Sequence, residues 1–202
     1  MGRAALALAA LFVVGAGAQA ACAGTFEDRV LAKINQVRRD PHGYAMELRR
    51  QARARRYDYG YRFSRAAYDE DSYAIQDAVA FLMRERPLPP LRRSPAIAAA
   101  ALEHVRGQEW SGRVGHGGDG ALGRRLHGHG VWAGISGESI SYGQPSPSDV
   151  VKQLVVDRGV PDRGHRMDIF GRAYQVAGVA CGRHPEWGSM CVIDFAGALV
   201  RR

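Results

Sequence analysis

Three side chains carry the strongest chemical signal in this 202-residue sequence: His116 in GHGG, Glu138 in GESISYG, and His165 in RGHR. Imidazole and carboxylate groups bind divalent metal or move protons near neutral pH, and flanking glycines let the backbone bring distant residues together. Two neutral imidazoles and one carboxylate form a ligand set that leaves a zinc position open to water, and bound zinc lowers that water's pKa toward about 7. Such a site could hydrolyse esters or peptides. The same set can instead bind an ion and hold loops together, or each histidine can simply cap a turn. The sequence has no HExxH helix, no GxSxG elbow and no paired catalytic cysteine, so it names no nucleophile. If the protein is an enzyme, Glu138 is the candidate catalytic residue.

The elements that must position these residues begin with helices. Thr25 with Asp28 forms a capping-box pattern, and Phe26, Val30, Ile34 and Val37 recur at helical spacing until Asp40-Pro41 interrupts. His42 to Arg53 continues as a second segment with Tyr44 and Leu48 on one face. Ile75, Ala78, Val79 and Leu82 mark another helix, stopped by Pro87, Pro89 and Pro90. Ser94-Pro95 then opens a helix with Ile97, Ala101 and Val105 inward, on which His104 reads as a packed histidine. Ala121 to His129 reads as a short helix and Ile135 to Tyr142 as the strand holding Glu138. Ser146-Pro147 with Asp149 starts a helix that Gly159 should close. Two β segments follow, near Val176 to Ala180 and Met190 to Phe195. Helices first and a small antiparallel sheet late argue for an α+β fold.

The N-terminus reads as an address. Arg3 supplies a positive start, Ala4 to Val14 an apolar stretch too short to span a bilayer, and Ala18-Gln19-Ala20 a small-residue cleavage site. Residues 1–20 are therefore expected to be a signal peptide and residues 21–202 one domain, secreted or periplasmic. Lipidation of Cys22 is the competing reading, although Gln19 stands where a lipobox wants an aliphatic residue. No later stretch is apolar enough to cross a membrane. The net charge of +8, one less without Arg3, favours anionic lipid, envelope polymer or nucleic acid as partner, or simply keeps the protein soluble.

Residues 49–71 stand apart in composition. Seven arginines between Arg49 and Arg65 are interleaved with Tyr57, Tyr59 and Tyr61. No RNP, OB or helix-turn-helix pattern accompanies them, which disfavours nucleic acid and leaves an anionic polymer, or a solvated helix extension. Cys181 and Cys191 end and begin two apolar runs across a Gly/Pro-containing linker, which predicts a cross-strand disulfide in an oxidising compartment. His127 and His129, two residues apart, read as surface histidines. Arg166 is a candidate for holding an anionic ligand group, or for a structural ion pair.

In order along the chain, NQVRRDPHGY, GHGGDG, GESISYG, GVPDRGHRMDIF, VAGVACG and CVIDFAG resemble the CAP superfamily of cysteine-rich secretory, antigen 5 and pathogenesis-related proteins, in its bacterial secreted branch. The resemblance implies a three-layer α-β-α sandwich whose cleft collects two histidines and two acidic residues and in some members binds zinc or another divalent metal. It places His116, Glu138 and His165 in that cleft. The second acidic residue has no clear counterpart; Asp119 is the nearest candidate. Ser139 and Asp168 stand where the family pattern has asparagine, and Asp168 would orient His165 as a supporting carboxylate or cap the following helix. The implied function is a non-enzymatic module binding a lipid, envelope polymer or protein partner, with a metal-dependent hydrolase as the alternative.

Overall fold

A computed structural model describes the backbone of residues 24–59 and 65–198, and the side chains of 24–54 and 72–198. The expected signal peptide, Cys22 and most of the arginine- and tyrosine-rich segment's side chains lie outside the described residues. Helix α1 spans Phe26–Arg39 and α2 Pro41–Tyr59, broken where the sequence predicts; α3 spans Arg65–Leu82. The capping box is formed, with the Asp28 amide donating to Thr25 Oγ1 and the Thr25 amide donating back to Asp28. Buried Val30, Leu31, Ile34 and Val37 make one inward stripe of α1.

Strand β1, Arg92–Arg93, leads into α4, Pro95–Ser111, which Ser94 caps by accepting from the Ile97 amide. Next come α5 (Ala121–Gly128), β2 (Ser136–Tyr142), α6 (Pro147–Val156), α7 (Gly164–Ile169), β3 (Val176–Gly182) and β4 (Met190–Ala196). The sheet order is β1-β3-β4-β2. β4 pairs antiparallel with β2 and β3, but β1 pairs parallel with β3, so the expected antiparallel sheet is in fact mixed. The two-residue β1 was invisible in sequence because Arg92 and Arg93 are both exposed and show no alternation.

Helix α4 covers one face of the sheet, while α1, α6 and α7 cover the other, backed by α2 and α3. This is the expected three-layer α-β-α sandwich. The larger core lies between the sheet and α1, α2, α3 and α6, and includes Ile34, Leu48, Leu82, Leu154, Ile193 and Phe195. On the opposite face, Ala101 and Val105 pack on Ile140, Ala180 and Val192. Gly178 lets α4 lie directly on β3, since a Cβ there would overlap the backbone of Ile97 and Ala98. The Cys181–Cys191 disulfide is formed between directly paired residues of β3 and β4, with Cα atoms 4.1 Å apart.

Arg38 ties the layers together. Almost wholly buried, it donates to the carbonyls of Pro89, Ile169 and Gly171, fixing α7 against α1. Burial alone pulls its pKa down to about 10, which still leaves it charged.

Candidate functional site

Glu138 sits in the middle of β2 opposite Asp194 of β4, and its side chain is buried. Neighbouring Gly137 is required there, because a Cβ would run into Tyr174 and Asp168. His116 reaches Glu138 from the loop after α4, placing Nδ1 2.9 Å from Oε1. That loop is held by a relay: the Gly115 amide donates to the Tyr142 hydroxyl, which donates to Gln108 Oε1, and Gln108 donates back to the Gly115 carbonyl. The other carboxylate oxygen of Glu138 is taken by Arg125 of α5, through Nη2.

The electrostatics follow from this packing. Burial opposes ionisation of Glu138, but the hydrogen bond from His116 and the charge of Arg125 outweigh it, and the carboxyl group is held below its ordinary range. The hydrogen bond to Glu138 raises the His116 pKa above 6.5 against partial desolvation. Asp194 behaves oppositely. It is fully buried, neither of its oxygens has a hydrogen-bond partner, and burial plus the adjacent charge of Glu138 push its pKa up to about 9. At neutral pH one of these two carboxyl groups is charged and the other is an acid.

His165 is oriented by a different acid. Its Nδ1 lies 2.7 Å from Oδ1 of Asp157, whose other oxygen accepts the Arg166 amide at 3.2 Å. Asp157 ends α6 in the left-handed region, with φ of 54°. This correction to the expected stop at Gly159 turns the Asp157 carboxyl onto the first turn of α7. The region is costly for most side chains and tolerated by aspartate, so the strain serves to aim that carboxyl.

The sequence-derived candidates therefore divide between two carboxyl partners: His116 bonds to Glu138, and His165 to Asp157. Asp168 stands between the two assemblies electrostatically, since both imidazoles stabilise its charge. Its hydrogen bonds come from Ser139 Oγ (3.1 Å) and the Tyr174 hydroxyl (3.2 Å), not from His165. Burial dominates and raises its pKa. Asp119 is exposed, and its backbone carbonyl accepts from Arg124. Arg166 is not placed for a ligand. It is buried, donating to the Val155 and Val156 carbonyls and to Asp77, the structural pairing that was its alternative. His104 is packed as read, bonded to the Gly115 carbonyl, while His127 stacks on Trp132 and His129 pairs with Glu103.

Arg125, Asp157 and Asp194 were missed. Only Asp194 left a mark in the sequence, as a lone acid inside the apolar run CVIDFAG. Both oxygens of Glu138 are already hydrogen-bonded, one to His116 and the other to Arg125, whose charge competes with a cation for that carboxylate. Among the described residues, no three His, Cys, Asp or Glu side chains are arranged to hold a metal ion. As they stand, the site residues do not fit the divalent metal that the resemblance implies.

A family model described as the cysteine-rich secretory protein family, CAP, matches residues 31–195. The chain belongs to this family. Among solved structures, it is similar to an extracellular protein with an SCP domain from Bacillus anthracis str. Ames. Identity is 20% and the TM-score 0.47, covering 61% of this chain and 40% of that one. A cysteine-rich secretory protein from Staphylococcus aureus subsp. aureus Mu50 is 14% identical, with a TM-score of 0.46 and coverage of 64% and 38%. An outer surface protein from Borrelia burgdorferi is 16% identical, with a TM-score of 0.46 and coverage of 63% and 92%. The chain spans about two fifths of the first two. No curated protein matches it. No described helix is long and apolar enough to cross a membrane.

Proposed function

We propose that this CAP-family chain is an exported binding module without catalytic activity of its own. The observation that carries this reading is the lock on Glu138. Each oxygen of this carboxylate is already held, one by His116 and the other by Arg125, which fixes the group's orientation and lowers its basicity as a general base or metal ligand. The adjacent residue in β2, Ser139, is fully buried and its Oγ donates to Asp168, so it cannot meet a substrate as a nucleophile. His116 is different: its side chain is 55% exposed and the Glu138 bond occupies only Nδ1. A ligand at the cleft meets an oriented imidazole and no reactive centre.

Export is supported by the leader pattern of residues 1–20 and by the Cys181–Cys191 disulfide, which an oxidising compartment preserves. The positive charge favours an anionic envelope polymer or lipid surface over a neutral partner. No metal enters the proposal. Two measurements test it. Purified protein should co-sediment with anionic cell-envelope material, with retention falling steeply as salt rises; protein that stays in the supernatant at low salt contradicts binding. A peptidase and esterase screen should find the same background in wild type and Glu138→Gln. Hydrolysis by the wild type that collapses in the variant would make the chain a hydrolase.

A further inference from the structure

Among the described residues three arginines are buried, and they differ in how many acceptors they have found. Arg38 is 1% exposed and donates to three carbonyls, and Arg166 is 2% exposed and donates to two carbonyls and a carboxylate. Arg125, 8% exposed, has a single acceptor, Glu138, which takes Nη2. Its Nε is buried with no partner, and no described residue accepts from Nη1. A buried guanidinium nitrogen without an acceptor is costly, and in the other two arginines Nε has one.

Arg125 forms part of the lining of a groove. An opening of about 360 Å³ lies between α4 and α5, lined by Glu103, His104, Gly107, Gly117, Arg124 and Arg125 among others. That volume suits a ligand of monosaccharide or dipeptide size. Arg125 Nη1 stands 3.7 Å from where a Cβ on Gly117 would be, so the glycine uncovers it. Gly107 occupies a mid-helix position of α4 where a Cβ would meet nothing within 4 Å. Glycine weakens a helix interior, and nothing in the packing calls for it there; its bare backbone leaves that side of the groove open. Arg124 adds an exposed second cation at the rim, while the opposite wall's Glu103 is paired with His129.

We propose that this groove is a binding site for a small ligand bearing a carboxylate or a phosphate, with Arg125 at its floor and Arg124 at its rim as cationic partners of the oxyanion. Guanidinium groups recognise both oxyanions through the same N–H donors. The site adjoins the His116–Glu138 pair but does not use it. The inference rests on the binding-module reading, yet the two fail separately: hydrolysis would remove that reading while leaving the groove titration unaffected.

The test follows the Arg125 Nε–H resonance by NMR in the exported chain. Glucuronate serves as the carboxylate probe and glycerol 1-phosphate as the phosphate probe. Saturable movement with either probe is expected, and the probe that saturates at lower concentration identifies the source of the oxyanion. Gly107→Leu adds bulk at a lining position where the Cβ has room, and should weaken binding at least about 10-fold with the melting temperature retained. Arg124→Ala should weaken it about 3- to 10-fold, with a shallower salt dependence. The proposal is overturned if neither probe moves the resonance, if the movement grows linearly without saturation, or if Gly107→Leu binds as wild type does.

Discussion

Replacing Asp194 with asparagine should stabilise the protein at neutral pH, with a gain that grows with pH. The residue is fully buried in β4 opposite Glu138, and its pKa is pushed up to about 9 from an ordinary 3.8. Below pH 4, folded and unfolded states both hold the proton. Between about 4 and 9 the unfolded chain releases it and the folded chain keeps it, so stability falls as pH rises, by about 1.4 kcal/mol for each unit. At pH 7, roughly three units above the ordinary value, the accumulated cost is about 4 kcal/mol. Asparagine is nearly isosteric, does not titrate, and offers an N–H where the acid offers its O–H. Urea denaturation of both proteins at half-unit steps from pH 4 to 8 measures the effect. The two should be close at pH 4, with the variant pulling ahead to a few kcal/mol by pH 7. A difference independent of pH, or a variant less stable throughout, would refute a protonated Asp194.

Other consequences are cheaper to check. The His116 imidazole should titrate above pH 6.5 by NMR, and in Glu138→Gln its midpoint should fall; an unmoved midpoint would mean that the pair does not form. Arg166→Met leaves the Val155 and Val156 carbonyls without their donor and Asp77 with Arg163 alone, and should cost about 2–4 kcal/mol by thermal denaturation. A loss under about 1 kcal/mol would show that Arg166 is dispensable to the fold. The double substitution Cys181→Ala/Cys191→Ala opens a loop of sequence separation 10 and should cost about 3 kcal/mol, matched by reduction of the wild type. Zinc calorimetry should give no heat that requires both imidazoles; a signal lost in His116→Ala and again in His165→Ala would mean that one ion gathers both.

Local rules made much of this fold readable. Thr25 and Asp28 meet three residues apart, Ser94-Pro95 stops and starts a helix on its own, and Cys181 and Cys191 flank one hairpin, so each signal is contained in a short stretch of chain. The site was readable only as a list of candidates, because its chemistry depends on partners set by tertiary register. Glu138 is answered by Arg125 only after α5 folds back beside β2, and by Asp194 only once β2 and β4 align. Asp157 gave no sign at all: a helix was expected to end on glycine, and a left-handed aspartate ends it instead.

The arginines make the same point from the side of charge. Arg38, Arg125 and Arg166 each fall within a helix at an unremarkable position, and composition treats them alike. What separates them is the supply of acceptors. Arg38 and Arg166 lie beside helix ends and loop carbonyls that no intrahelical bond claims, and they satisfy those groups in exchange for burial. Arg125 lies on α5 against β2, and the acceptor it finds there is the Glu138 side chain. Glu138 supplies one acceptor, and the neighbouring Asp194, whose oxygens are buried without a partner, does not reach the guanidinium. Position, not charge, thus leaves Arg125 Nε without an acceptor.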